Sequence, residues 1–365
     1  MISKKEKDIF YIKKVIELAR KGQYTAHPNP MVGAIIVKND KIVGQGYHKK
    51  IGTPHAEQIA IKQAGKKVKN STLYVNLEPC CHFGRTPPCS NIIIESKIKR
   101  VVICERDPNP IIDGKSIKQL KKANIIVDVG LYSDKALQLN KGFYNRFNFK
   151  LPYVTAKIGM SLDGKTSLSN GDSKWITSHK SRTDVQHERA LSSLILSTSN
   201  TIIKDNPLLN VREKSLQKKI IDQPSLAIID SNLRIPLNSK VFSNYKRRVI
   251  IFTAKKRIYK KYKPNVEIIT VPSTKDGLNI KNCLKHLALR NYNNIFIESG
   301  PKLISTLLKK NLIDELILYI APTILGDKSN SFSNIDSIKT LSKKIKFNFN
   351  DMIHIGSDIK LKLNT

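Results

Sequence analysis

Apolar residues recur at Ile9, Ile12, Val15, Ile16 and Ala19, the spacing that lays one stripe along a helix over 6–21, and Gly22 supplies its stop. Val32–Val37 and Ile42–Tyr47 are apolar runs around Asn39-Asp40, a hairpin signal. The helical period returns over His55–Ala64, ended by Gly65, and a strand over Thr72–Leu77 runs into Glu78-Pro79-Cys80. Beyond it the pattern predicts a short helix at Ser90–Ser96, a strand at Arg100–Cys104 and a helix at Ser116–Lys122. A strand at Ile125–Val129 and a helix at Asp134–Tyr144 follow. Asn145–Pro152 loses periodicity and ends at a proline, so a domain boundary is expected there. A second series of strands then covers Tyr153–Ile158, Leu226–Asp230, Val249–Thr253, Val266–Val271, Ile295–Glu298 and Leu316–Ala321. Strands alternating with helices predict a layered α/β fold in both halves. The charged, weakly periodic segments 206–224 and 254–265 are expected to be surface insertions, and no internal repeat is visible.

Length agrees with two domains: the chain has 365 residues, and domains run to about 100–200 residues each. With 40% hydrophobic residues both can hold packed cores. The net charge of +35 would by itself suggest an anionic partner such as nucleic acid. Its distribution argues otherwise, because Lys pairs are scattered from Lys13–Lys14 through Lys121–Lys122 to Lys343–Lys344, with no dominant basic block and no Arg/aromatic cluster. The excess accompanies a general richness in Lys, Ile and Asn and is read as compositional drift. Five cysteines, an odd number with three of them inside Cys80–Cys89, point to a metal site in a reducing compartment and away from a disulfide scaffold. The charged N-terminus lacks the apolar core of a signal peptide, and no charge-free run reaches membrane-spanning length. A cytoplasmic protein with no membrane partner is expected.

The chemistry concentrates in His55-Ala56-Glu57, Pro79-Cys80 and Cys89. One imidazole and two thiolates make three ligands of a tetrahedral zinc, leaving the fourth position to water, whose pKa such a metal lowers toward about 7. Hydrolytic deamination needs that nucleophile and a proton carrier, and Glu57, two residues from the His, suits the second role. In the nucleobase-deaminase signature, His-x-Glu then Pro-Cys-x-x-Cys, two residues separate the cysteines; here eight do. Cys81 and His82 are rival ligands on residue type alone, and a helix-start His with buried structural cysteines is the bland alternative.

The runs His27-Pro28-Asn29-Pro30-Met31-Val32-Gly33, Gly44-Gln45-Gly46-Tyr47-His48, His55-Ala56-Glu57 and Leu77-Glu78-Pro79-Cys80-Cys81-His82-Phe83-Gly84-Arg85-Thr86-Pro87-Pro88-Cys89 closely resemble the bifunctional deaminase/reductase family of riboflavin biosynthesis, the RibD type. In that family the long loop replaces the short Cys-x-x-Cys. The family often has Ser at the position of Cys81 and His at that of Phe83. The resemblance implies that His55, Cys80 and Cys89 bind one zinc, that Glu57 carries protons, and that Asn29 and His48 lie near the deaminase pocket. It implies a cytidine-deaminase-like three-layer α/β/α domain over 1–147 and a dihydrofolate-reductase-like α/β domain over 151–365. The later runs Asp107-Pro108-Asn109-Pro110, Leu139-Asn140-Lys141-Gly142-Phe143, Ser161-Leu162-Asp163-Gly164-Lys165, Gly171-Asp172-Ser173-Lys174-Trp175-Ile176-Thr177, Asp205-Asn206-Pro207, Glu298-Ser299-Gly300-Pro301 and Ala321-Pro322-Thr323-Ile324-Leu325-Gly326 continue it almost to the chain end.

Pattern alone says less about the second half. It has no Gly-x-Gly-x-x-Gly after a strand, so a Rossmann site is unsupported. Strand Ile295–Glu298 followed by Ser299-Gly300-Pro301 and a helix could present free N–H groups to a phosphate, or be an ordinary strand–turn–helix. The resemblance implies an NADPH site at Gly159, Trp175, Thr201, Asp205, Ser231 and the segment from Gly300, with Trp175 as core packing the alternative. It implies binding of the phosphoribosyl substrate by Ser173, Arg189, Leu209, Arg212 and Glu298, and polar groups near hydride transfer at Lys157 and Asp205. Arg189 and Arg212 are plausible phosphate clamps, since guanidinium pairs bidentately with phosphate. The expected partner is a phosphoribosylated pyrimidine, with a homo-oligomer through the reductase half compatible with it. Two rivals are a nucleic-acid-editing deaminase, which predicts a short Cys-x-x-Cys loop and no second half, and a zinc-stabilised nucleic-acid-binding protein, which needs four closed ligands and a basic patch.

Overall fold

The structure is a computed structural model that describes residues 3–83, 87–257, 260–275, 277–335 and 338–365. The chain divides into two compact units, Met1–Phe149 and Lys150–Thr365. In the first, α1 (Lys4–Arg20) opens on a capping box: the Glu6 N–H donates to Ser3 Oγ at 3.2 Å, and the Ser3 N–H donates to the Glu6 carboxylate at 2.8 Å. The strands β1 (Gly33–Lys38) and β2 (Lys41–Tyr47) form the expected hairpin, with Asn39 and Asp40 at φ 49° and 58° making the turn. There follow α2 (Ala56–Ala64), β3 (Thr72–Leu77), α3 (Cys89–Glu95), β4 (Arg100–Glu105), α4 (Lys115–Lys122), β5 (Ile126–Val129), α5 (Ser133–Leu139) and α6 (Lys141–Phe149).

The sheet order is β2-β1-β3-β4-β5, antiparallel across β2, β1 and β3, then parallel. Successive strand residues point to opposite faces, and the buried residues sort accordingly. Ala34, Ile36, Leu73, Val75, Val101 and Ile103 pack with Ala56 and Ala60 of α2 and Ile93 of α3. Ile35, Val37, Tyr74, Val102 and Cys104 pack on Ile12 and Val15 of α1. This is the expected three-layer α/β/α unit. The helix expected over Asp134–Tyr144 is two, broken at Asn140, whose side chain takes the Met31 N–H at 2.8 Å and returns its own N–H to the Met31 carbonyl at 2.9 Å. The second helix runs on through Asn145–Phe149, the non-periodic stretch in which a domain boundary is expected, and the two units divide after Phe149.

The second unit contains β6 (Tyr153–Ser161), β7 (Lys165–Ser167), α7 (His179–Leu191), β8 (Leu194–Thr198), α8 (Ser199–Asp205), α9 (Lys214–Gln217), β9 (Ser225–Ile229), β10 (Val249–Thr253) and β11 (Val266–Thr270). It continues with β12 (Ser273–Thr274), β13 (Gly277–Leu278), α10 (Ile280–Leu289), β14 (Asn294–Ile297), α11 (Pro301–Lys309), β15 (Glu315–Ala321), β16 (Asn330–Ser331), β17 (Asn348–Ile355) and β18 (Asp358–Asn364). Nine strands form one sheet in the order β11-β10-β9-β8-β14-β6-β15-β18-β17, all running one way except β18, which pairs antiparallel with both β15 and β17. Segment 206–224 is not the expected surface insertion, for it buries Leu209, Val211 and Leu216. In 254–265, Tyr262 packs against the same core, while residues 258 and 259 lie outside the described residues. Both segments place their few apolar residues without a period, so pattern could not see them. Among the described residues no helix is long and apolar enough to cross a membrane.

Candidate active sites

In the first unit, glycine sets the distance between sheet and helix. An added Cβ at Gly46 of β2 would lie 2.5 Å from the carbonyl oxygen of Ala56, so only a residue without a side chain lets α2 lie this close. That helix is capped by His55 and carries Glu57 in its first turn. Cys80 lies just past β3, and Cys89 is the first residue of α3. His55 Nδ1 is 3.5 Å from Cys80 Sγ and 3.3 Å from Cys89 Sγ, and the three ligand atoms all lie within 4.8 Å of one another. A tetrahedral zinc with Zn–N near 2.0 Å and Zn–S near 2.3 Å sets N···S edges of about 3.5 Å, so this cluster fits zinc without rearrangement. The Cys80 thiol is lowered, chiefly by a hydrogen bond from Cys89 and also by His55, while the same bond and burial raise Cys89; the pair therefore favours a thiolate on Cys80. Glu57 is 3% exposed, burial raises its carboxyl, and its Oε2 has no hydrogen-bond partner among the described residues. A buried oxygen left open beside three candidate metal ligands is where a water and a polar substrate would be received.

These groups meet in a pocket of about 350 Å³ lined by His55, Glu57, Cys80, Asn29 and His48, among others. Asn29 Nδ2 lies 3.0 Å from His48 Nε2, and burial together with the neighbouring His55 holds the His48 imidazole near a pKa of about 4, hence neutral. Cys81, the rival ligand, turns its Sγ to the Ile111 carbonyl at 3.8 Å, outside the cluster; His82 lines the pocket. The loop carrying Asn29 is held from both sides. Besides Asn140, Asn76 accepts from the Gly33 N–H at 2.8 Å and donates to the Met31 carbonyl at 2.9 Å. Sequence reasoning gave no site role to Asp107, Asn109, Phe143, Phe147 or Arg146, which also line the pocket. The runs Asp107-Pro108-Asn109-Pro110 and Leu139-Asn140-Lys141-Gly142-Phe143 were the available signal for Asp107, Asn109 and Phe143. Burial pushes the Asp107 carboxyl up to about 7.

In the second unit, a groove of about 830 Å³ crosses the carboxyl ends of β6, β14, β8 and β9, where parallel sheets of this kind bind ligands. It brings together Lys157, Gly159, Ser173, Trp175, Arg189, Thr201, Asp205, Leu209, Ser231, Glu298 and Gly300; Arg212 is exposed and outside the lining. Arg189 donates from Nε to Glu298 Oε1 at 2.5 Å and from Nη2 to Oε2 at 2.9 Å, and its Nη1 donates to the Asn210 carbonyl at 2.9 Å. Arg189, one of the two expected phosphate clamps, thus spends its guanidinium on protein partners, whereas the exposed Arg212 donates from Nη1 to Asn210 Oδ1 at 3.3 Å. Burial works against the Glu298 carboxylate, yet Arg189, with Lys157 and Arg212 beyond it, keeps it below the usual range. Lys157 Nζ stands 3.8 Å from Glu298, lowered by burial and partly restored by that carboxylate. Trp175 is no core residue: it is 73% exposed, at φ 68°, with the Arg182 guanidinium 4.1 Å from its ring centre. Ser299 Oγ, buried without a partner among the described residues, stands one residue before the Gly300 cap of α11, so the groove has polar groups waiting where a phosphorylated cofactor would cross that helix start.

Residues 152–361 match the model of the RibD C-terminal domain, and residues 5–105 match that of the cytidine and deoxycytidylate deaminase zinc-binding region. The riboflavin biosynthesis protein RibD of Buchnera aphidicola subsp. Baizongia pistaciae is 44% identical over 368 residues, which cover 98% of each chain. The chain belongs to the RibD family. The Escherichia coli RibD protein is 38% identical over 98% of this chain and 99% of its own. A solved Acinetobacter baumannii RibD superimposes with a TM-score of 0.91 at 37% identity, covering 99% of both chains. A Thermotoga maritima structure described as a diaminohydroxyphosphoribosylaminopyrimidine deaminase/5-amino-6-(5-phosphoribosylamino)uracil reductase gives 0.87 at 34%, also covering 99% of both. The protein is thus a riboflavin-biosynthesis enzyme with a zinc-binding deaminase domain and a reductase domain. This RibD-family chain has both features that a nucleic-acid-editing deaminase is expected to lack, the long loop between Cys80 and Cys89 and the second half.

Proposed function

We propose that residues 1–147 deaminate 2,5-diamino-6-ribosylamino-4(3H)-pyrimidinone 5′-phosphate and that residues 151–365 then reduce the ribosyl group of the product to ribityl with NADPH, giving 5-amino-6-ribitylamino-uracil phosphate. The observation that carries the first step is the cluster of His55, Cys80 and Cys89 with the open Glu57 oxygen beside it. These three residues hold zinc, which when bound supplies an activated water at neutral pH. Glu57 is the proton carrier: it would take one proton from the attacking water and deliver it to the ring nitrogen, then take the second from the hydroxyl now on the ring carbon and pass it to the amine, which leaves as ammonia as the C–N bond breaks and the carbonyl forms. Asn29 and the neutral His48 present polar atoms to the ring from the facing loop and strand end.

For the second step, NADPH supplies the hydride. Gly159, Trp175, Thr201, Ser231 and the segment from Gly300 line its groove, and Lys157 and Asp205 are the polar groups beside hydride transfer. Lys157 is suited to give a proton to the sugar oxygen, because burial lowers its affinity for the proton while the Glu298 carboxylate 3.8 Å away favours its charged form. Ser173, Leu209 and Arg212 are assigned to the phosphoribosyl group, Arg212 as its phosphate partner and Arg189 with Glu298 as the wall behind it. Glu57→Gln tests the assignment. The amide keeps shape and loses proton traffic, so ammonia release should fall by at least about 10², the lower range for positioned acid–base groups. Zinc content and NADPH-dependent reduction of the already deaminated intermediate should hold. Near-normal ammonia release would remove Glu57 from the mechanism, and a parallel loss of reduction would show that the two steps do not use separate sites.

A further inference from the structure

The reductase groove has a direction. Its four strands stand side by side in the order β6, β14, β8, β9. Lys157 lies on β6 and Glu298 directly after β14, so the hydride-transfer end belongs there. α11 starts at Gly300 after β14, and the far end of the groove is formed by Ser231, Asn232 and Arg234 beyond β9. Neighbouring strands stand about 4.8 Å apart, so β6 and β9 are separated by roughly 14 Å. That is a span for a dinucleotide lying across the strand ends, with its nicotinamide at β6, its pyrophosphate near the start of α11 and its adenosine at β9.

At that adenosine end stands one cation prepared for an anion. Arg234 Nη2 donates to Ser199 Oγ at 3.1 Å and to Asn200 Oδ1 at 2.5 Å, both on the first turn of α8. Two neutral oxygens orient the guanidinium without neutralising it. Among the described residues no carboxylate pairs with Arg234, and its Nε and Nη1 make no hydrogen bond. The other cations of the groove are engaged elsewhere. Arg182 covers the Trp175 ring and donates to the Thr177 carbonyl, Lys204 donates to the Gly171 carbonyl, and Arg189 and Lys157 face Glu298. Lys302, on the first turn of α11, belongs with the pyrophosphate crossing.

We propose that Arg234 reads the 2′-phosphate of the dinucleotide and so sets the preference of this reductase for NADPH over NADH, an inference that rests on the cofactor reading above. A guanidinium pinned at one nitrogen and open at two others offers the parallel pair of donors that a phosphate dianion accepts. NADH presents a 2′-hydroxyl at the same place, which leaves those donors to water and adds no charge to the pairing.

Calorimetric titration of the full-length protein with 2′,5′-ADP and with 5′-AMP tests this without turnover. The wild type should bind 2′,5′-ADP more tightly. Arg234→Ala should weaken 2′,5′-ADP by about ten- to a hundred-fold, the worth of hydrogen bonds to a charged group. Its affinity for 5′-AMP should be unchanged, which also shows that the groove is still folded, and Arg234→Lys should recover part of the loss. Unchanged 2′,5′-ADP affinity in Arg234→Ala, an equal loss for both ligands, or the loss appearing in Lys302→Ala instead would overturn the assignment. A wild type that binds both ligands equally, or neither, would overturn the NADPH reading itself.

Discussion

Replacing Gly46 by Ala tests whether the sheet-to-helix distance holds the deaminase site together. The new methyl would stand 2.5 Å from the Ala56 carbonyl oxygen and 2.6 Å from Ile59 Cβ, where ordinary contact begins at 3.4 Å. The obstructing oxygen is backbone, so no rotamer change relieves it; α2 must lift from β2 by about 0.9 Å or the strand must bend. His55 and Glu57 ride on that helix start, whereas Cys80 and Cys89 belong to other elements and stay behind. The His55 Nδ1 separations of 3.5 and 3.3 Å from the two sulfurs would shift by a comparable amount. Metal–ligand distances tolerate about 0.2 Å. A misplacement near 1 Å costs on the order of 10² in rate, and overpacking typically costs about 1–3 kcal/mol of stability. Gly46→Ala should therefore lose zinc to a chelator concentration that the wild type withstands, release ammonia about 10²-fold more slowly, and still reduce the deaminated intermediate at the wild-type rate. Wild-type zinc retention with ammonia release within twofold of normal would refute the claim that this glycine places the ligands.

Cys89→Ser should strip zinc while Cys81→Ser leaves it, since only the first thiol lies in the His55 cluster; metal analysis of the two purified variants decides, and the reverse pattern would make the ligand set wrong. In the opposite layer of the first unit, burial disfavours the Asp8 carboxylate, but Arg100 at 2.7 and 2.8 Å and the Tyr74 hydroxyl at 2.7 Å hold it below its ordinary range. A depressed carboxyl contributes stability above its unfolded pKa, about 3.9, that is lost as pH falls through the folded value. Asp8→Asn should thus cost about 1.5–3 kcal/mol at neutral pH in urea unfolding, with the gap to the wild type closing below about pH 4; a gap constant with pH would contradict this pairing.

The parts of this molecule that could be read in advance are local ones. Ile35 and Ile36 face opposite layers because strand side chains alternate, and the Asn39-Asp40 turn marks its hairpin within the same few residues. His55-Ala56-Glu57 could be read as a candidate site because a helix cap and the first turn behind it hold the imidazole and the carboxyl group a fixed distance apart. What pattern missed is held by contacts far apart in the chain. Asn140 breaks a helix to hold Met31, 109 residues away, and Asn76 reaches the same carbonyl from 45 residues away. Neither bond leaves a trace in hydrophobic period, since an asparagine at a helix break and one that holds a loop look alike in sequence. Arg212 and Arg189 show the same limit in the reductase half. As residue types they were interchangeable phosphate partners; in the fold one is exposed and the other is closed on Glu298, 109 residues on. A buried guanidinium must satisfy its donors within the protein, and a buried carboxylate needs a cation, so the two choose each other before any phosphate arrives. The consequence reaches Lys157. With Arg189 holding the Glu298 carboxyl low at 3.8 Å from the lysine, the carboxylate that the resemblance assigned to substrate binding also works against the burial that lowers Lys157.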